Sequence, residues 1–192
     1  MTWEGLNPPY RTIVADPPWR YNTSSGLPTR GYKPSTAEAH YSTLSMREIA
    51  SLPVRELATQ SAHLYLWVTN PRLFGDRTDD GMSPLAIARE WGFEYRTLLT
   101  WVKGGGLGMG WYFRGATEHI MFCTRGKAPT QSNSLSNVIA APRRAHSAKP
   151  PEFFDLVEMA SPGPYVELFA RAPRLGWDSW GYGYETQPTR TA

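Results

Sequence analysis

Asp16, Pro17, Pro18 and Trp19 form the segment of this 192-residue chain whose residue types point to a specific chemistry. The two prolines fix two backbone φ angles and supply no amide donors, so carbonyl oxygens beside them stay available as acceptors. The Asp16 carboxylate places a second acceptor next to a rigid carbonyl. Two adjacent acceptors match an exocyclic amino group, which carries two N–H donors. The flat face of Trp19 suits a stacked base.

This pair of acceptors suits methylation of an aromatic amine. The lone pair of such an amine is delocalised into the ring, which makes its nitrogen a poor nucleophile. Hydrogen bonds from the N–H groups to two acceptors return electron density to nitrogen, and a sulfonium methyl donor held in line completes the transfer. No metal and no covalent enzyme intermediate are needed. The alternative is a proline turn capped by Asp16, but the apolar strand directly before Asp16 favours function.

Short apolar runs predict the strands that position this segment, at 12–15, 63–68, 97–102, 118–124 and 164–170. Helices are predicted from the capping box at Ser45, between Ser83 and Gly92, and from Pro150. Apolar strands that alternate with helices indicate an α/β fold, with a mostly parallel sheet and helices on both faces. Ligands in such folds lie beyond the carboxyl ends of the strands. Asp16, Lys103 and Arg171 each follow such an end.

The composition indicates a globular protein, with 41% hydrophobic and 19% charged residues. Its length favours one domain over 1–192, and 17 glycines and 17 prolines predict long loops. We assign 20–39 and 104–114 as substrate-side loops and 186–192 as a flexible tail. The one cysteine, Cys123, excludes an internal disulfide framework and a cysteine-based zinc site. The absence of an export leader and of an apolar run near the roughly 20 residues of a membrane span predicts a cytoplasmic protein without a membrane partner.

Charge and aromatic content permit a nucleic-acid partner. The net charge is +3 and the pI is about 9.1, which allows a polyanion without requiring one. Eight tryptophans and ten tyrosines exceed the needs of a core of this size, so some are expected to stack on flat ligands. Candidate phosphate contacts are Arg20, Arg30, Lys33, Arg143 and Arg144.

Seven segments in a fixed order resemble the MT-A70 family, the N6-adenosine methyltransferases that include the catalytic subunit of the messenger-RNA enzyme. The segments cover nearly the whole chain: 14–19 (VADPPW), 40–45 (HYSTLS), 66–69 (LWVT), 100–103 (TWVK), 115–119 (GATEH), 144–150 (RAHSAKP) and 167–171 (ELFAR). As a set they are highly specific. The resemblance implies a Rossmann-like methyltransferase fold of the permuted β-type and S-adenosyl-L-methionine as the cofactor.

On the substrate side, the resemblance implies that Asp16 and Pro17 bind the target amino group, within the catalytic segment that Pro18 and Trp19 complete. Trp19 and Tyr41 would line the adenine pocket. His146 and Ser147 would contact substrate. We do not assign His146 as a base, because this reaction can release its proton to water.

On the cofactor side, the resemblance implies that Lys149 contacts the carboxylate end of S-adenosylmethionine and that Asp16 also adjoins the cofactor. Glu167, Leu168 and Phe169 would lie along it, and Arg171 would reach its ribose. The chain departs from relatives after this segment, at Pro173, Arg174 and Tyr182. Relatives also place cofactor contacts well upstream of the DPPW segment, whereas 15 residues precede Asp16 here.

Three functions are compared. The first is an active adenine methyltransferase, with DNA favoured over RNA because the motif forms look bacterial, and with a flipped or single-stranded target base. The resemblance allows a homodimer or a heterodimer with a related subunit. The second is a non-catalytic nucleic-acid scaffold for a partner subunit, which the intact Asp16–Trp19 segment argues against. The third is methylation of a small molecule or protein amide, whose motif usually carries Asn or Ser in place of Asp.

Overall fold

The computed structural model describes residues 3–20, 43–75, 81–106, 108, 112–143 and 148–181. The predicted loop 20–39 (apart from Arg20) and the predicted tail 186–192 lie outside these residues. In the described part, no helix is long and apolar enough to cross a membrane, and no cluster of His, Cys, Asp or Glu could hold a metal ion.

In the described residues, seven strands form one sheet, in the order β5-β3-β4-β2-β1-β6-β7. Their bounds are β1 Tyr10–Ala15, β2 Ala58–Val68, β3 Glu94–Gly104, β4 Thr117–Arg125, β5 Val138–Pro142, β6 Tyr165–Leu168 and β7 Trp177–Trp180. Among the described strands, β4 alone runs antiparallel to its neighbours. The predicted mostly parallel sheet is therefore confirmed.

The five predicted strands are present, while β5 and β7 were not predicted. Both of these strands lie at the edges of the sheet. β5 alternates buried and exposed residues and ends at Pro142, and β7 has the mixed sequence WDSW. The proline that ends the apolar run of β5 argues against a central strand, and Asp178 and Ser179 interrupt the run of β7, so neither sequence has the pattern of a central parallel strand.

The part of the chain that the structure describes also has four α-helices, α1 Met46–Ala50, α2 Val54–Leu57, α3 Pro84–Glu90 and α4 Pro151–Ala160, and a short 3-10 helix, Asn70–Arg72. The capping box at the start of α1 is confirmed, since Glu48 N donates to Ser45 Oγ at 3.2 Å and Ser45 N donates to Glu48 Oε2 at 2.7 Å. Ser83 Oγ likewise accepts from Ala86 N at 3.2 Å at the start of α3.

The core has a layer on each face of the sheet. Ile13 of β1 packs in one layer with Ile49 of α1 and Ile87 of α3. Its neighbour Val14 packs in the other layer with Phe153 of α4. Successive strand residues point to opposite faces, so helices cover both sides as predicted and burial fixes the register of β1.

Cys123 lies in this core on β4 and is fully buried. Burial raises the pKa of its thiol to about 12, which keeps the reactive thiolate scarce at neutral pH. Cys123 is therefore a core residue.

Candidate active site

Asp16 lies directly after β1, near the middle of the sheet and at the carboxyl edge of its parallel strands. The apolar side chains of 13–15 bury β1, and the prolines at 17 and 18 end it. Asp16 N donates to the carbonyl of Leu168 at 3.4 Å, which ties the site to the end of β6. The predicted placement of Asp16 at a strand end is confirmed.

Five charged side chains of alternating sign meet at this edge. Lys149 Nζ lies 3.2 Å from Asp16 Oδ2 and 3.1 Å from Glu118 Oε2. Lys103 Nζ binds the other oxygen of Glu118, and Arg171 Nη2 lies 3.9 Å from Asp16 Oδ2. We call Lys103, Glu118, Lys149, Asp16 and Arg171 the ion-pair chain. The pairs hold the Asp16 carboxylate in a defined orientation at this edge of the sheet.

Lys149 is the centre of the ion-pair chain. Its side chain is 13% exposed, and its Nζ lies 4.4 Å from the centre of the Trp67 ring, a cation–π contact. Burial alone would lower the pKa of Lys149, but Asp16 and Glu118 outweigh burial and raise it. Burial likewise opposes the ionised form of Glu118, but Lys149 and Lys103 hold its pKa below the ordinary value. Both groups therefore stay charged at neutral pH.

Glu167, on β6 beside the ion-pair chain, differs from Glu118 because its pKa is raised. Burial and the neighbouring negative charge of Asp16 raise its pKa to about 7, because Arg174, Lys149 and Arg171 offset them only in part. The site thus contains a carboxyl group that is poorly compensated by the protein's own cations. Binding of a positively charged group next to it would favour its ionised form.

Replacing Glu167 with glutamine should remove a pH-dependent loss of stability. A folded-state pKa above the unfolded value means that the native protein binds the proton more tightly, so its stability falls as pH rises from about 4.5 to about 7. Glu167→Gln should increase the free energy of unfolding at pH 8 by the order of 2 kcal/mol and leave it unchanged near pH 4.5. Urea unfolding of both proteins at the two pH values measures this. An identical increase at both pH values would contradict the assignment.

The turn after Asp16 is held by backbone hydrogen bonds. Pro17 O accepts from Trp19 N at 2.8 Å, and Pro18 O accepts from Leu44 N at 2.9 Å. A carbonyl has two lone pairs, so the Pro17 oxygen keeps one for a ligand. Trp19 itself is buried, and its Nε1 donates to Trp67 O at 3.1 Å. These contacts place Trp19 as a brace between the turn and the end of β2, and its stacking on a base stays a prediction.

In the segment 167–169, Glu167 belongs to the candidate site, while Leu168 and Phe169 belong to the core. The Leu168 side chain is fully buried, and Phe169 is buried against Trp180 with ring centres 5.5 Å apart. Phe169 also has φ 63, a left-handed backbone conformation that is costly for a bulky residue and is concentrated at functional sites. Of the three, Glu167 is the one whose charge acts on the ion-pair chain.

Other predicted contacts lie outside the described residues. These are Tyr41, His146, Ser147, Arg30, Lys33 and Arg144, and their roles stay predictions. Sequence reasoning missed the part that Glu118 and Lys103 play. Both occur in the quoted segments, but only the antiparallel pairing of β3 with β4, which sets Trp101 opposite Glu118, brings the two charges together.

A second polar cluster, at the opposite edge of the sheet, is structural. His63 Nε2 donates to the carbonyl of Ala128 at 2.8 Å, so His63 Nδ1 accepts from Ser161 Oγ at 2.7 Å. Tyr65 binds the same Ser161 hydroxyl at 2.7 Å. All three side chains are buried and satisfied, and burial lowers the pKa of His63. His63 also borders a cavity of about 300 Å³, but this cavity has no contact with the ion-pair chain.

Comparison with known proteins identifies the family of this chain. The MT-A70 family model matches residues 10–183. The chain belongs to the MT-A70 family. The match covers the turn at 16–19, the ion-pair chain and all seven strands, so the resemblance drawn from the sequence is confirmed, as is the Rossmann-like α/β methyltransferase fold.

Individual relatives extend the comparison. The Type II methyltransferase M.MunI of a Mycoplasma species is 29% identical over 90% of this chain and 76% of its own length. The human N(6)-adenine-specific methyltransferase METTL4 is 28% identical over 90% of this chain and 37% of its own. The N(6)-adenosine-methyltransferase MT-A70-like protein of Drosophila melanogaster is 29% identical over 84% of this chain and 24% of its own. By family, therefore, the chain is a methyltransferase, and it spans a quarter to three quarters of these relatives.

Proposed function

We propose that this MT-A70 family protein transfers a methyl group from S-adenosyl-L-methionine to the exocyclic amino nitrogen of adenine in nucleic acid. The observation that carries the proposal is Asp16, held at the carboxyl edge by Lys149 and followed by a Pro17 carbonyl with a lone pair to spare. These two acceptors match the two N–H donors of the adenine amino group. The N6 position named for the human and fly relatives supports the same target.

The charges at the site fit the proposed cofactor. S-adenosylmethionine supplies an electrophilic methyl group on a positively charged sulfur when bound. Glu167, whose pKa is raised by burial and by Asp16, would face a positive part of the cofactor. Lys149 would bind its carboxylate, as a compact point charge suits, and Arg171 would reach its ribose hydroxyls.

The residues of the chain then perform positioning and electrostatic work. The Asp16 carboxylate and the Pro17 carbonyl accept the two N–H groups and direct the nitrogen lone pair away from the ring. Lys149 and Arg171 hold the Asp16 carboxylate, and Trp19 stabilises the turn by its hydrogen bond to the Trp67 carbonyl. The amino proton leaves to water after transfer, so no side chain is assigned as a base. Preorganised acceptors of this kind typically contribute about 10²–10³-fold to rate.

We favour DNA over RNA as the substrate. The segment RAHSAKP at 144–150 resembles a bacterial form of the motif. The bacterial M.MunI enzyme is matched over three quarters of its length, against one quarter for the fly adenosine methyltransferase. The test is incubation with radiolabelled S-adenosylmethionine and, separately, single- and double-stranded DNA and RNA, followed by digestion to nucleosides. Label in N6-methyladenine from DNA supports the proposal. Label from RNA alone would reverse the choice of polymer. A protein that binds the cofactor but no nucleic acid would refute the proposed function.

Binding of nucleic acid should weaken as salt rises. Arg114 and Arg143 are exposed at the carboxyl edge, and Arg20 is half exposed beside the turn. If these three neutralise phosphates of a single strand, a rise from 50 to 200 mM salt should reduce the affinity roughly 20-fold. Fluorescence anisotropy across a salt series measures the slope. A flat dependence would contradict phosphate contacts at this edge.

A further inference from the structure

Residues 104–116 connect β3 to β4, and we call them the arm. The arm lies between two members of the ion-pair chain. Lys103 lies near the end of β3 and Glu118 near the start of β4. Within the described part of the arm, Lys103 N donates to Ala116 O and Gly108 N donates to Gly115 O, both at 2.8 Å. The described residues on the two sides of the arm are therefore paired at these two points, next to the ion-pair chain.

Two consecutive aromatic side chains on this arm face solvent. Tyr112 is 86% exposed and Phe113 is 90% exposed. A third, Phe74, is 90% exposed on the turn after β2, and Asn70 Nδ2 of that turn donates to Thr117 Oγ1 at the base of the arm, at 3.3 Å. Large aromatic groups left this open at one edge mark an interaction surface.

The charge of the arm indicates which partner this surface fits. Residues 104–116 contain no Asp or Glu. The Arg143 guanidinium donates to Gly115 O at 3.0 Å, and Arg114 Nε donates to Gly108 O. A guanidinium has five N–H donors, so each arginine keeps donors and its full charge for a ligand. Exposed aromatic faces with fixed positive charges and no carboxylates are the arrangement that binds stacked nucleotides.

We propose that Tyr112 and Phe113 stack on nucleotides that flank the target adenine, while Arg114 and Arg143 neutralise the adjoining phosphates. This inference rests on the proposed function and identifies which part of the chain holds the strand around the target. Phe113 is five residues from Glu118, which an extended chain spans in at most about 17 Å. A stacked strand rises about 3.4 Å per nucleotide, so Phe113 lies within about five nucleotide rises of Glu118 in the ion-pair chain, a distance that suits bases flanking the target.

The test measures binding rather than methyl transfer. The double variant Tyr112→Ala, Phe113→Ala should bind a fluorescent single-stranded oligonucleotide containing adenine about 10- to 100-fold more weakly than wild type. Tyr112→Phe, Phe113→Tyr keeps two aromatic faces and should retain wild-type affinity. Leu175→Ala is the matched control, because Leu175 is 98% exposed on the β6–β7 connection. Affinity for S-adenosylmethionine should be equal in all four proteins.

The outcomes separate this inference from the proposed function. A wild-type protein that binds no nucleic acid would overturn both. Wild-type binding that the double alanine variant retains would overturn the stacking role of the arm and leave the proposed function standing. Sedimentation tests a protein partner at the same surface. The inference would be overturned if wild type is a dimer, the double variant is a monomer, and nucleic-acid affinity falls only to the extent that dimerisation is lost. That result would assign the aromatic pair to a subunit interface.

Discussion

Replacing Asp16 with asparagine should reduce the rate of methyl transfer by about 10²–10³-fold or more. Asparagine keeps the size of the side chain but loses the charge and turns one acceptor into a donor, which faces the amino group unfavourably. The fold should persist, because Lys149 retains Glu118 at 3.1 Å after Asp16 loses its charge. Single-turnover rates at saturating cofactor, with circular dichroism on the same samples, measure both effects.

Asp155→Asn is the matched control for this change. Asp155 lies on the exposed face of α4, and its replacement should leave the rate within twofold of wild type. The two variants make the same chemical change in different places, so a difference in rate reports the position of Asp16. A folded Asp16→Asn protein with undiminished rate would remove Asp16 from the catalytic role.

Replacing Lys149 with methionine should weaken binding of S-adenosylmethionine by tenfold or more, and nucleic-acid binding far less. Methionine fills the space over the Trp67 ring but removes the ammonium group that Asp16 and Glu118 share. Removing one partner of a buried ion pair typically costs about 3–5 kcal/mol, and Lys103 and Arg171 should reduce that loss here. Calorimetric titration with the cofactor and thermal unfolding measure the two effects.

The pH dependence distinguishes the lost ion pair from lost packing. Lys149 and Lys103 hold the pKa of Glu118 below its ordinary value, so their stabilisation is present above that value and disappears as pH falls through the lowered pKa. The stability difference between wild type and Lys149→Met should be largest at neutral pH and shrink in acid. Lys127→Met, an exposed lysine at the opposite edge, should change neither stability nor cofactor affinity. Unchanged cofactor affinity in folded Lys149→Met would remove Lys149 from the site.

Local patterns were sufficient for the elements that place Asp16. The apolar run at 12–15 followed by two prolines specifies a buried strand with an abrupt end, and the structure has β1 ending at Ala15. The helix predicted from Pro150 begins at Pro151. Its apolar residues Phe153, Phe154, Val157 and Ala160 recur at helical spacing, and all four are buried. These patterns involve residues close together in the chain, so they can be recognised in a single sequence without knowledge of the tertiary fold.

The charge network was not predictable from such patterns. Glu118 follows Lys103 by fifteen residues, and their contact depends on β4 reversing direction beside β3. An apolar run predicts a strand without its direction, so the sheet order was needed to bring Glu118 to Lys149. Lys149 itself was assigned by resemblance alone, and the structure shows why its charge matters at this edge: it is the cation shared by two carboxylates.

The most direct measurement of the central claim is the identity of the methylated atom. Wild type and Asp16→Asn are incubated with trideuteromethyl S-adenosylmethionine and adenine-containing single-stranded DNA, and the digested nucleosides are analysed by mass spectrometry. Transfer at Asp16 predicts N6-trideuteromethyl-deoxyadenosine from wild type and a loss of at least about 100-fold in the variant. Label on another atom or base, or equal amounts from both proteins, would contradict the assignment of this site to adenine N6 methylation.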